Sequence, residues 1–258
     1  MRKSIVLLLA VLLMWPTGAA LGAVSQQGEN PQLVYVIPVT GEIDFGLAAF
    51  VRRGLTSAER AGAAVLLEIN TFGGLIAAAA EIRDAVVRAK VPVMSYITDR
   101  AWSAGALIAL AAPEIVMAPG SSIGAAEPRP AEEKTVSAVR AEFEATAERT
   151  GRNPRIAAAM VDADVVVEDL APEGKILTLS AQNALEEGYA DAIAASRNEA
   201  LGHFGYAGAR VEQLTLGWAE HLARFVTNSV VSSLLLTLGF LGLIFEITTP
   251  GWGVPGTS

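Results

Sequence analysis

The chain has 258 residues, a net charge of −8 and no cysteine, and 52% of its residues are hydrophobic. These values exclude disulfides, thiolate nucleophiles and cysteine metal sites, and the acidic balance, with no basic tract to offset it, argues against nucleic acid as a partner. One sizeable domain plus extra segments suits such a length, and two terminal segments explain much of the apolar excess.

The first of these opens the chain. Met1-Arg2-Lys3 precedes an apolar run from Ile5 to Trp15, and small residues follow at Ala19, Ala20, Gly22 and Ala23. A basic start, a short apolar centre and a small-residue exit are the layout of a secretory signal. Residues 1–23 therefore read as a signal peptide, or as an anchor if it is not cleaved.

An alternation of strand and helix patterns follows. Leu33 to Val39 is β-branched and apolar, Leu47 to Arg60 fits an amphipathic helix, and Ala63 to Ile69 is a nearly continuous apolar run. Such a run marks a strand covered on both faces. Asn70-Thr71-Phe72-Gly73-Gly74 reads as a turn, and Leu75 to Lys90 as an alanine-rich helix. Strand Val93 to Ile97 leads to a second turn, Trp102-Ser103-Ala104-Gly105, then to a small-residue helix from Ala104 to Ala112 and a strand from Glu114 to Ala118. This rhythm predicts an α/β fold of stacked right-handed β-α-β units around a largely parallel sheet.

The second half is more helical. Residues 120–130, rich in Gly, Ser, Ala and Pro, read as a loop. A charged helix from Glu132 to Thr150 is broken by Gly151-Arg152-Asn153-Pro154, and another helix reaches Val161. Lys175 to Thr178 reads as a strand, with Ser180 as N-cap of a helix ending at Gly188. Val211 to Trp218 leads into a juxtamembrane helix from Ala219 to Phe225.

Val230 to Ile247 is the second apolar segment, interrupted only by Ser232, Ser233, Thr237 and Glu246. Its length is near the lower limit for crossing a bilayer, and a buried core helix is the competing reading. The expected organisation is a signal peptide or anchor at 1–23, a catalytic-type α/β domain at 31–200, a juxtamembrane segment at 201–229 and a transmembrane helix at 230–247. Residues 248–258 then read as the start of a further loop that the chain cuts short.

The chemistry concentrates in the two glycine-bearing turns. Paired glycines after a strand free the backbone to present N–H groups. A serine at a strand-to-helix turn is a candidate nucleophile. Together Gly73, Gly74 and Ser103 suggest an oxyanion hole facing a serine, the core of an acyl-transfer site. Serine needs a neighbouring base. The two histidines, His203 and His221, both come late in the chain, so neither is an obvious partner for Ser103. Lysine is the remaining common base, because burial can lower its pKa; Arg140 is too basic. A purely structural turn is the competing reading.

The ordered set Asn70-Thr71-Phe72-Gly73-Gly74, Ser103-Ala104-Gly105, Ser122-Ile123-Gly124-Ala125, Gly151-Arg152-Asn153 and Leu177 to Asp191 resembles the NfeD-type membrane-bound serine proteases. These are relatives of signal peptide peptidase A with a ClpP/crotonase-like fold. The resemblance covers roughly residues 33 to 255. It implies a Ser-Lys dyad with Ser103 as nucleophile, and an oxyanion hole formed by Gly73, Gly74 and Ala104. It also implies a cleft for extended apolar peptide, added as a strand, with Ser122, Ile123 and Gly124 beside it. The family's lysine opens the helix that ends at the Gly-Arg-Asn turn, and counting back from Gly151 gives Lys134. Glu132 and Glu133, if close, would oppose its role as base. Lys175 opens the next strand and reads as an exposed edge charge.

Phe72 stands where the family commonly has proline, and Gly41-Glu42-Ile43 resembles an early substrate-side turn. The resemblance further implies a homo-oligomer at the cell membrane with an extracytoplasmic protease domain. A stomatin-like membrane protein or other apolar peptide is the implied substrate or partner, and no metal or organic cofactor is implied. Two rival readings are an inactive membrane scaffold with the same fold and a crotonase-type acyl-CoA enzyme. The export signal and membrane segment disfavour the latter, whose substrates are intracellular.

Overall fold

The computed structural model describes residues 32–227 and 229–248. The signal-like segment and residues 249–258 lie outside the described residues. In chain order the first elements are β1 (Leu33–Ile43), α1 (Phe45–Ala61), β2 (Ala64–Gly74), α2 (Ile76–Arg88), β3 (Val93–Trp102), α3 (Ala104–Leu110) and β4 (Glu114–Met117). Next come β5 (Ser122–Gly124), α4 (Glu133–Arg149), α5 (Pro154–Ala159), β6 (Thr178–Ser180), α6 (Ala181–Glu186) and β7 (Ala192–Ile193). The last are α7 (Arg197–His203), β8 (Arg210–Gln213), α8 (Trp218–Thr227) and α9 (Ser229–Thr248).

The strands form one sheet in the order β6-β5-β3-β2-β1-β8, with β4 pairing β3 and β7 beside that path. Every pairing is parallel except that of β5 with β6. Alternating side chains explain the unbroken apolar runs. Val65, Leu67 and Ile69 enter the core shared with α1 to α6, while Leu66 on the other face packs with Val34, Val36 and Tyr96 under Leu201 and Phe204. Both faces of the sheet are covered, so both need apolar residues.

Several elements depart from the expected boundaries. The paired glycines are the end of β2, in register with β1 through Glu42↔Gly73 and Ile43↔Gly74. Gly41-Glu42-Ile43 likewise continues β1 after an irregularity between Thr40 and Glu42. Within the expected loop at 120–130, Ser122–Gly124 forms a strand, held between β3 and β6. Lys175 precedes β6 instead of opening a strand, which begins at Thr178. Ser180 does cap α6, accepting the Asn183 N–H at 3.2 Å.

Helix α9 has 20 residues, enough at the α-helical rise for about 30 Å, the thickness of a bilayer's hydrocarbon core. Its Val230–Thr248 stretch is apolar and not buried in the protein. Among the described residues, none of the α/β domain covers this segment.

Candidate active site

Strand β3 delivers Ser103 to the mouth of a cleft, and α3 starts at the next residue. Ser103 has φ 54° and ψ −124°, a conformation that L-residues rarely adopt and that costs on the order of 1–3 kcal/mol. Strained strand-to-helix turns of this kind display nucleophilic serines. The turn is held from several sides. The Ser103 N–H donates to the Gly124 carbonyl at 2.8 Å, and the Ser103 carbonyl accepts the Ala106 N–H at 2.9 Å.

The two glycines do different things. A Cβ on Gly73, at φ +113°, would lie 2.6 Å from the Ser103 Cβ, so only glycine leaves room for the serine. A Cβ on Gly74 would lie 2.3 Å from the Ile43 carbonyl oxygen, so this glycine permits the close β1–β2 contact. The Gly73 N–H donates to Thr71 Oγ1 at 3.0 Å, and that hydroxyl donates to the Gly41 carbonyl at 2.5 Å. In this conformation the Gly73 N–H is thus already engaged, and the residue's visible contribution is space. Ala104, first in α3, has no intrahelical acceptor for its N–H.

Gly74, Ser103 and Ala104 line one cleft of about 490 Å³, together with Leu75, Ile76, Val139 and Phe143. That size suits a ligand-binding site, and the added walls are apolar. The structure thus brings together the serine, both glycines and the helix-start residue, with Gly73 packed against Ser103 and Gly74 in the cleft lining.

Lys134 is not among the residues that line the cleft. Lys134 is exposed in the first turn of α4, whereas its neighbour Thr135 lines the cleft. Among the described residues Lys134 forms no ion pair with Glu132 or Glu133. Ser122, Ile123 and Gly124 are also outside the cleft lining. Ile123 is fully buried, and the Ser122 hydroxyl accepts the Trp102 indole N–H at 2.8 Å. With both edges of β5 paired, these residues support the serine turn, and the wall facing the cleft is formed by Ala125 and Ala126.

Sequence reasoning missed Thr71, Val139 and Phe143. The last two lie four residues apart among the buried positions of α4, a spacing that marks one helix face. Glu127 and Arg129 also line the cleft and pair with each other at 3.2 Å. Lys175 is exposed. His203 packs edge-on against Phe204, and His221 lies on α8; neither lines the cleft.

The Gly-Arg-Asn motif serves the fold. Arg152 is buried and donates to the carbonyls of Ala112, Pro113 and Tyr189 at 3.1–3.2 Å. Burial lowers its pKa from the ordinary arginine value, and Asp191 opposes the shift. Asn153 caps α5 by accepting the Arg155 N–H at 3.0 Å.

A covered, mainly parallel sheet that ends in a strained serine turn beside a glycine strand defines a ClpP-like α/β protein. ClpP1 from Listeria monocytogenes has the same fold, with a TM-score of 0.52 at 24% identity over 63% of this chain and 92% of that one. The chain belongs to the NfeD family: the NfeD1b N-terminal domain matches residues 33–214, and the NfeD integral membrane domain matches residues 230–258.

"Membrane protein NfeD1b" of Bacillus subtilis (strain 168) is 39% identical over 97% of this chain and 58% of its own length. "Membrane-bound protease PH1510" of Pyrococcus horikoshii is 31% identical over 87% of this chain and 55% of its own. The chain thus spans less than two thirds of each of these relatives. A solved structure of the "1510-N membrane-bound stomatin-specific protease", a lysine-to-alanine variant in complex with a substrate peptide, gives a TM-score of 0.65 at 26% identity. It covers 77% of this chain and 99% of that one.

Proposed function

We propose that this chain is a membrane-tethered serine endopeptidase that cleaves apolar segments of membrane-associated proteins, a stomatin-like protein among them. The observation that carries the reading is Ser103, held at φ 54° in a cleft shared with Gly74 and Ala104. Such a conformation is costly for a residue other than glycine. Leu75, Ile76, Val139 and Phe143 supply apolar walls, which suit an apolar substrate side chain. The likeness to a protease described as stomatin-specific and to its peptide complex supports both the reaction class and the partner.

In the proposed mechanism, the Ser103 hydroxyl attacks the scissile carbonyl while Lys134 Nζ takes its proton. The Oγ–C bond forms, and the N–H groups of Gly74 and Ala104 receive the oxyanion, while Gly73 keeps the space open. Collapse of the intermediate breaks the C–N bond, and the Lys134 ammonium returns the proton to the leaving amine. Water then attacks the acyl-enzyme by the same route, releasing the acid and restoring the hydroxyl. Lys134 is outside the cleft lining but adjoins Thr135, which is in it, and its flexible side chain closes on Ser103 for this step; catalytic contacts often tighten only once substrate is bound. The signal-like N-terminus supports an extracytoplasmic domain.

The exposure of Lys134 favours a second reading, a membrane scaffold that keeps the fold without the chemistry. Incubating the detergent-purified chain with an apolar peptide and identifying fragments by mass spectrometry separates the two. Cleavage is expected from the parent, with complete loss in Ser103→Ala and a fall of roughly 10²–10⁴-fold in Lys134→Ala. Cleavage that survives Ser103→Ala overturns the assignment of the serine. Cleavage lost in Ser103→Ala but intact in Lys134→Ala removes the lysine and keeps the protease. An inert parent supports the scaffold.

A further inference from the structure

Helix α8 is amphipathic with its faces reversed. At 3.6 residues per turn, Trp218, Leu222, Phe225 and Val226 form one stripe, and Glu220 and Arg224 stand opposite. A surface helix ordinarily turns its apolar stripe to the core. Here Trp218 is 80% exposed, Phe225 60% and Leu222 52%, while the charged face is turned to the protein.

That charged face is firmly seated. Arg53 donates to both carboxylate oxygens of Glu220 at 2.7 and 2.8 Å, and this pairing holds the Glu220 carboxyl below the ordinary glutamate range. Arg224 pairs with Asp44 at 3.2 Å and donates to the Glu42 carbonyl at 2.9 Å. Asp44 in turn caps α1, accepting the Leu47 N–H at 2.7 Å. A Cβ on Gly46 would meet the Arg224 side chain at 2.5 Å, so the helix fits closely against the start of α1. The Arg224 contacts lie at the end of β1 that pairs with Gly74.

The apolar stripe runs on into the membrane segment. The Ser232 hydroxyl of α9 donates to the Val226 carbonyl of α8 at 2.7 Å, and α9 carries exposed apolar side chains along its length. We propose that α8 lies in the membrane interface, with Trp218, Leu222 and Phe225 entering the headgroup–acyl boundary while Glu220 and Arg224 clamp the α/β domain to it.

Lipid fits this surface better than a protein partner. A helix with a charged side and a bulky apolar side lies in the interface plane, and tryptophan is enriched there. The stripe is four side chains on a 10-residue helix, about 15 Å long, which is small beside the roughly 1,000 Å² that a specific protein interface needs. The consequence is a fixed pose, with the β1 end and the neighbouring cleft held at the membrane surface. This inference does not depend on Ser103 being active.

Because the chain has no cysteine, Leu222→Cys gives a unique site for an environment-sensitive fluorophore. The full chain, so labelled, is reconstituted into phosphatidylcholine–phosphatidylglycerol vesicles. A second label at Glu212→Cys, on β8 and paired with the opposite end of β1, is the aqueous control. The Leu222 label is expected to emit blue-shifted light and to be quenched several-fold more by headgroup-proximal spin-labelled lipid than by aqueous iodide, and the Glu212 label to show the reverse. Iodide quenching at Leu222 without lipid quenching overturns the proposal. Shielding of Leu222 from both quenchers also overturns it and identifies a protein, such as a second copy, as the occupant.

Discussion

The turn that carries Ser103 and the first turn of α4, which carries Lys134, are built by opposite means. Around Ser103 each backbone group is directed: the N–H goes to Gly124, the carbonyl to Ala106, and Gly73 leaves no room for a side chain of its own. The start of α4 has no side-chain cap, and Glu132, Glu133 and Lys134 are all exposed. The place of the proposed nucleophile is therefore dictated by the sheet, while that of the proposed base depends on how the α4 start settles against the cleft.

The most severe way to test this contrast is Gly73→Ala. Its Cβ would have to fit 2.6 Å from the Ser103 Cβ at φ +113°, and displacement of the serine by about an ångström costs on the order of 10²-fold in rate. Cleavage is expected to fall at least that far while circular dichroism stays unchanged. Gly62→Ala is the control: its φ is also positive, at +63°, but nothing lies within 4 Å of an added Cβ. That variant is expected to lose about 1 kcal/mol of stability and to keep its activity. Equal loss of cleavage in both would show that the serine turn is no more exacting than an ordinary helix end.

Next in size is Lys134→Arg, which keeps the charge but cannot serve as a base. A base at this position predicts a fall of about 10²-fold or more, measured as cleavage of the same peptide. A solvated surface charge predicts near-parent rates, and that result would leave Ser103 without its proposed partner.

The same contrast explains what could be read from the sequence. Side-chain periodicity exposed the strands and helices, because β2 must be apolar on both faces and α1 on only one. The spacing of motifs located Ser103, whose turn is local: strand, serine and helix are consecutive. Glycine identity was legible too, but its purpose was not. Gly73 and Gly74 resemble a turn in sequence, yet both continue the β2 ladder, and the Thr71 hydroxyl that takes the Gly73 N–H could not be foreseen. Ser122 to Gly124 read as loop because a three-residue strand has no measurable period. Lys134 could be placed in a helix by counting back from Gly151, but whether its amine reaches the cleft depends on packing between distant segments. Arg152 shows the converse, a motif residue whose use is to bind three carbonyls from two distant parts of the chain, Ala112-Pro113 and Tyr189.

The smallest expected effect is on stability, and it separates the two turns without any substrate. At φ 54° and ψ −124° Ser103 occupies the first central position of a type II′ geometry, where glycine is favoured. Strain of this kind is on the order of 1–3 kcal/mol, and glycine's added freedom in the unfolded chain offsets part of the relief. Ser103→Gly is therefore expected to be inactive yet more stable than the parent by about 1 kcal/mol, read as a higher denaturant midpoint at unchanged slope. Lys134→Ala, at an exposed and unstrained position, is expected to stay within about 0.5 kcal/mol of the parent. A destabilised Ser103→Gly would mean that the serine turn is maintained by contacts of the hydroxyl, and the case for strain held in reserve for chemistry would fail.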